Sequence, residues 1–124
     1  MAGERVLLVE DNEKNLKLFR DVLRVTGYVT LEASTGEEAL ELAVSDNPAL
    51  VLMDVQLPGM DGVQTLGRLR SDPRTASIPV LALTAQAMHA DRERFLAAGF
   101  DDYLSKPVDI VGLLRTVAEY CSGS

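Results

Sequence analysis

Ala49-Leu50-Val51-Leu52-Met53-Asp54 runs five apolar residues straight into a carboxylate, and this stretch decides the fold. A half-exposed strand alternates apolar with polar side chains. A run without alternation is the pattern of a parallel-sheet strand covered on both faces. Val6 to Val9 and Val80 to Leu83 share that character, and the weaker segments Tyr28 to Leu31 and Asp102 to Leu104 read as flanking strands.

Helical patterns fill the intervals. The first starts at Asn12 as N-cap, carries Leu16, Phe19 and Leu23 on one face and stops at Gly27. Ser34 followed by Glu37 has capping-box spacing and opens a second helix, predicted to bury Leu40, Ala43 and Val44 and to end before Pro48. A third runs from Asp61 with Val63, Leu66 and Leu69 together before Pro73. The fourth, about Ala87 to Ala98, has a thin apolar face of Met88 and Phe95 and closes at Gly99. The fifth repeats Ile110, Leu113, Leu114 and Val117 after Asp109. Right-handed crossovers between parallel strands make this a doubly wound five-stranded α/β sandwich, although periodicity alone does not order the strands.

Composition agrees with a single domain over residues 1–124. With 124 residues, 47% apolar and 25% charged, the chain has the size of one compact core that needs no disulfide or metal staple. Cys121 is the only cysteine, so no internal disulfide forms and a reducing, cytoplasmic setting is expected. No apolar stretch exceeds six residues, which excludes a helical membrane span. Twelve Lys and Arg against 19 Asp and Glu leave a net charge of -7, which repels phosphate backbones and anionic lipid. With no Trp and only three Phe and three Tyr, bases find no stacking platform, so neither nucleic acid nor membrane is an expected partner.

Ligands of doubly wound sheets bind beyond the carboxyl ends of the strands. There the sequence places Glu10 and Asp11 after the first run, Asp54 after the central one, Thr84 at the fourth strand, and Lys106 before Pro107. Each alone has an ordinary reading. Asp11 could cap the adjoining helix, Thr84 could be a strand residue, and Lys106 a solvated charge. Together they make a cluster of three carboxylates and one ammonium, whose repulsion is relieved by protonation or by a hard, oxygen-seeking cation such as Mg²⁺. That ion leaves coordination positions open for a phosphoryl oxygen.

The segments Val9-Glu10-Asp11-Asn12, Leu52-Met53-Asp54-Val55-Gln56-Leu57-Pro58-Gly59-Met60-Asp61-Gly62, Ala82-Leu83-Thr84-Ala85 and Tyr103-Leu104-Ser105-Lys106-Pro107 resemble the response-regulator receiver domain of two-component signalling. The resemblance extends from about Arg5 to Tyr120 and is strongest to single-domain regulators of the DivK type through Val9 to Leu18 and Ala82 to Met88; receivers of hybrid kinases look similar there. It implies a flavodoxin-like (βα)5 fold with strand order 2-1-3-4-5. It also implies that Asp54 accepts a phosphoryl group from a phosphohistidine on a sensor histidine kinase or phosphotransferase. Glu10, Asp11, Asp54 and the backbone carbonyl of Gln56 would hold Mg²⁺, and Lys106 and Thr84 would meet the phosphoryl oxygens. Tyr103 matches the family's switch aromatic, Ala85 the small residue that leaves the site accessible, and Lys106-Pro107 a cis peptide. Gln56 and Gln86 stand where the family tunes phosphoryl lifetime. Many members carry Asp where Glu10 stands, and the longer side chain is expected to hold metal with looser geometry.

Other classes fit less well. A dehalogenase-type phosphatase wants a second Asp where Gln56 stands, a nucleotide site wants a Gly-rich cradle, and a flavin carrier wants more aromatic residues. A pseudo-receiver, docking partners without phosphorylation, would have lost residues that are all present; a receiver excised from a hybrid kinase is the other alternative. The domain is thus expected to signal by protein binding and not as an enzyme, as a monomer or weak dimer, toward a downstream protein target. Leu18 and Val25, opposite the buried face of the first helix, are the expected docking residues for the kinase. His89 reads as a solvated histidine and Cys121 as a small apolar residue at a helix end.

Overall fold

The three apolar runs form the middle of one sheet. In the computed structural model, which describes residues 3–57, 59–84, 89–106 and 108–122, five strands alternate with five helices. They are β1 (Arg5–Val9), α1 (Glu13–Val25), β2 (Val29–Ala33), α2 (Gly36–Asp46), β3 (Leu50–Asp54), α3 (Gly62–Ser71), β4 (Val80–Thr84), α4 (His89–Ala98), β5 (Asp102–Ser105) and α5 (Ile110–Ser122). All pairings are parallel and the order is β2-β1-β3-β4-β5, so the two weaker segments are the edges, as expected.

The missing alternation in the central strands has a direct cause. Leu7, Val9, Val51, Met53, Val80 and Ala82 face a core closed by Ala39 and Ala43 of α2, Leu66 and Leu69 of α3, and Phe95 of α4. Val6, Leu8, Leu50, Leu52, Leu81 and Leu83 face the other way, against Phe19 and Leu23 of α1 and Leu113 and Val117 of α5. Both faces are dry, so both parities must be apolar. Each fully buried aliphatic side chain contributes roughly 1.5–3 kcal/mol, and these two layers carry the fold.

Several boundaries differ from the sequence reading. β2 starts at Val29 and runs on to Ala33, because its register follows β1 from Arg5 opposite Val29 to Val9 opposite Ala33. The N-cap of α2 is Thr35, whose hydroxyl accepts the Glu38 N–H, and Ser34 donates its hydroxyl to Glu38; the cap is one residue later than the Ser34–Glu37 pair. The helix buries Ala43 as expected, together with Gly36 and Ala39, while Leu40 is only half-buried and Val44 is exposed. Val63 is likewise exposed, because α3 buries Gly62, Thr65, Leu66 and Leu69. The Asn12 cap of α1 stands as read; Asp61, the expected start of the third helix, is its N-cap, completed by Gln64 into a capping box. The expected start of the fourth helix at Ala87, Met88, and the side chain of His89 fall outside the described part of the structure.

At the rim formed by the amino ends of β4 and β5, Arg70 ties three segments together. Its guanidinium donates to the carbonyls of Ala76, Ile78 and Gly99 and to Asp101, whose carboxylate also accepts the Val80 N–H. The opposite rim is built differently.

Candidate functional site

At the carboxyl ends of β1, β3 and β4 the strand register brings three chain segments level, with Val9 opposite Met53 and Asp54 opposite Leu83. The first residues beyond the dry interior are Glu10 and, one residue further, Asp11. Asp54 ends β3 and Thr84 ends β4. Glu10 and Asp54 are only 1% and 6% exposed, unusual for carboxylates, whereas Asp11 is exposed. A carboxylate oxygen from each of Glu10, Asp11 and Asp54 lies within 4.8 Å of the other two.

Lys106, just past β5, enters this cluster. Its ammonium donates to Glu10 Oε1 at 2.8 Å and Asp54 Oδ2 at 2.9 Å, and its own N–H donates to the Thr84 carbonyl at 2.8 Å. The other Asp54 oxygen, Oδ1, accepts the Gln56 N–H at 2.9 Å. The loop after Asp54 is held tight by Gly62: its N–H donates to Val55 O, and a Cβ there would lie 2.7 Å from the Asp54 carbonyl oxygen. Any side chain at Gly62 would push this loop, and with it the Gln56 N–H, off Asp54.

These contacts set the ionisation of the cluster. Burial, reinforced by the neighbouring Asp54, pushes Glu10 above the usual carboxylate range despite its bonds to Lys106 and Asn15. Burial opposes ionisation of Asp54 too, but the Lys106 ammonium and the Gln56 N–H, both donating to its carboxylate, outweigh it and hold Asp54 below its ordinary value. Lys106 is raised, its two carboxylate partners overcoming its own desolvation. The result is a persistent anion at Asp54 beside a persistent cation.

Glu10 Oε2 is buried and accepts no hydrogen bond. A buried acceptor without a donor is costly, about 1–3 kcal/mol or more when charged, and a cation beside it removes the cost. An all-oxygen donor set with one such orphaned atom suits a hard divalent ion, and Mg²⁺ fits the residues present.

Of the residues singled out in the sequence, Glu10, Asp11, Asp54, Thr84 and Lys106 share this rim, with the Gln56 backbone against Asp54. Thr84 is 2% exposed. Tyr103 is half-buried in β5, opposite Ala82, and packs on the α2–α3–α4 core. Leu18 and Val25 stand exposed on α1, Val25 at 87%. Ala85, Gln86 and the Lys106–Pro107 peptide lie outside the described residues. The expected looseness at Glu10 is not found: Oε1 is held by two donors, Lys106 Nζ and, at 3.0 Å, Asn15 Nδ2. The sequence reading missed Asn15. Its signal was an amide side chain one turn into the helix, three residues after the Asn12 cap.

A parallel 2-1-3-4-5 sheet with this acid cluster and lysine at its carboxyl rim defines a receiver-type signalling domain. The sequence model of the response regulator receiver domain matches residues 6–118, and the chain belongs to that family of two-component systems. The polar-differentiation response regulator DivK of Brucella ovis is 44% identical over 115 residues, which cover 93% of this chain and 94% of the relative. Among solved structures, the receiver domain of sensor histidine kinase PA1611 from Pseudomonas aeruginosa PAO1 has a TM-score of 0.89 at 36% identity, covering 98% of this chain and 99% of that one. That domain has a magnesium ion coordinated in its active-site cleft. Chemotaxis protein CheY4 of Vibrio cholerae also has a TM-score of 0.89, at 27% identity, covering 96% and 99% of the two chains.

Proposed function

We propose that Asp54 is the phosphoacceptor of this receiver domain, taking a phosphoryl group from a phosphohistidine on a sensor histidine kinase or phosphotransferase. The observation that carries this reading is the Lys106 ammonium bridging Glu10 and Asp54 at 2.8 and 2.9 Å at the carboxyl ends of the strands. In the transfer an Asp54 oxygen forms a bond to phosphorus while the phosphorus–nitrogen bond breaks, and the electron pair returns to the imidazole. Asp54 is suited to this because its surroundings keep it ionised. Glu10, Asp11 and Asp54, with the Gln56 carbonyl, would hold Mg²⁺, which supplies positive charge against the developing phosphoryl charge. Lys106 is placed to exchange its Asp54 contact for a phosphoryl oxygen, and Thr84, at the end of the neighbouring strand, to donate its hydroxyl to another.

The chain acts on its own Asp54 and on no separate substrate, so it is a signalling domain whose output is a changed protein-binding surface. Leu18 and Val25, two turns apart on the outer face of α1 with Val25 at the helix's far end from the acid pair, supply an exposed apolar edge for the donor protein. The test is labelling by a small acyl phosphate. The wild type should label only with Mg²⁺, the label should be lost in acid or base as an acyl phosphate is, and Asp54→Asn should not label. Full, stable labelling of Asp54→Asn would overturn the assignment.

A further inference from the structure

Asn15 sits in the first turn of α1, half-buried, and is held at both ends. Its backbone N–H donates to Asn12 Oδ1 at 3.2 Å, part of the helix cap, and its side-chain amide donates to Glu10 Oε1 at 3.0 Å. Lys106 donates to that same oxygen. Two donors converge on Oε1 and none on Oε2, so the carboxylate cannot rotate to share its oxygens without breaking a bond to Asn15 or Lys106. Glu carries one more rotatable bond than Asp, and a ligand with that freedom has more entropy to lose on metal binding.

We infer that Asn15 is a positioning residue for the metal site: by pinning Oε1 of Glu10 it leaves Oε2, which accepts no hydrogen bond among the described residues, as the oxygen available to a cation at the cluster with Asp11 and Asp54. The α1 cap and the metal ligand are thereby one unit, since the Asn12 side chain that starts the helix also holds Asn15. Partners that orient a ligand from behind typically change metal affinity 10–100-fold. This inference rests on the reading of Glu10 as a Mg²⁺ ligand. It adds that the longer carboxylate works only with the amide behind it.

The test is Mg²⁺ titration of the unphosphorylated chain, followed by amide NMR shifts around Asp11 and Gln56, in five proteins: wild type, Asn15→Leu, Asn15→Ala, Glu10→Asp and the double variant of Asn15→Leu with Glu10→Asp. Leu preserves size and favours the helix, and metal-free melting temperatures report any loss of fold; Asn15→Ala serves as a second substitution at the site. Asn15→Leu and Asn15→Ala should each weaken Mg²⁺ about tenfold. In the Glu10→Asp background, where the shorter carboxylate falls away from the amide, Asn15→Leu should change affinity by less than about twofold, the non-additivity expected of two residues that act through one contact. Unchanged affinity in Asn15→Leu, or an equal loss in both backgrounds, would overturn the positioning role while leaving the metal reading intact. A wild type whose shifts do not respond to Mg²⁺ at all would overturn the metal reading and this inference with it.

Discussion

Glu10 is a buried carboxylate whose charge the fold tolerates for the sake of the site. Unfolded, it titrates near its ordinary 4.5; folded, burial and Asp54 hold it higher. Below about 4.5 the group is protonated in both states and costs nothing. As the pH rises through the interval between the two values the unfolded chain loses its proton first, so native stability falls, and above the folded value the cost is constant. Asp54 runs the other way: lowered from 3.8, it adds stability above that pH which is lost as the pH falls through the folded value. Glu10→Gln removes the first effect and retains an acceptor for Lys106 and Asn15. Without metal it should melt above the wild type at pH 7, because Gln carries no charge to desolvate. The gap should close toward pH 4. With Mg²⁺ in excess the order should reverse, because the wild type gains binding energy that the variant lacks. Calorimetric melts across pH check both points, and a gap that widens in acid would contradict the assignment.

Among the elements, α1 is the one proposed to meet the donor protein. Its inner face is Phe19 and Leu23, Asn15 in its first turn holds Glu10, and its outer face carries Leu18 and Val25. Leu18→Asp should slow phosphotransfer from the kinase or phosphotransferase about tenfold or more, as loss of a docking contact of about 1.4 kcal/mol would. Labelling by a small acyl phosphate should be unchanged; equal loss with both donors would place the damage in the fold. The strands were legible because both parities of β1, β3 and β4 are apolar, a pattern only two-sided burial explains. The one-residue error at α2 has a local cause: Ser34 and Thr35 can both cap, Glu37 and Glu38 can both answer, and only side-chain geometry chooses Thr35 with Glu38. Val44 and Val63 were misplaced because these helices turn small residues, Gly36, Ala39, Ala43 and Gly62, toward their neighbours. Asn15 escaped notice because a polar side chain in a first helical turn ordinarily faces water. Legibility was best where one residue type answers one chemical need, as at Asp54 and Lys106.

Across the whole molecule the two rims differ in kind. The rim at Arg70 is cross-linked by donors to four separate residues, whereas the site rim holds charges whose contacts a phosphoryl group would rearrange. Phosphorylation turns the single charge of Asp54 into nearly two and adds acceptors for Thr84 and Lys106. Movement of Thr84 toward them would open space beside Tyr103, which is half-buried on the neighbouring strand, and so reshape the face of α4, β5 and α5. Among the described residues of α4 the one large buried anchor is Phe95, edge-to-face with Phe100 at 6.0 Å, so displacement of this helix is cheap compared with that of a central strand. Beryllofluoride, standing in for the phosphoryl group, should therefore shift NMR signals of Thr84, α4 and Tyr103, and Thr84→Ala should uncouple the last two from Asp54. Signals confined to the site would contradict this relay. The phosphoacceptor itself is tested most directly by mapping it: the chain is treated with an acyl phosphate and Mg²⁺, the aspartyl phosphate is trapped by borohydride reduction, and the modified residue is located by peptide mass spectrometry. The account predicts modification of Asp54 alone, dependent on Mg²⁺; modification at Glu10 or Asp11, or none at all with Mg²⁺ present, would contradict it.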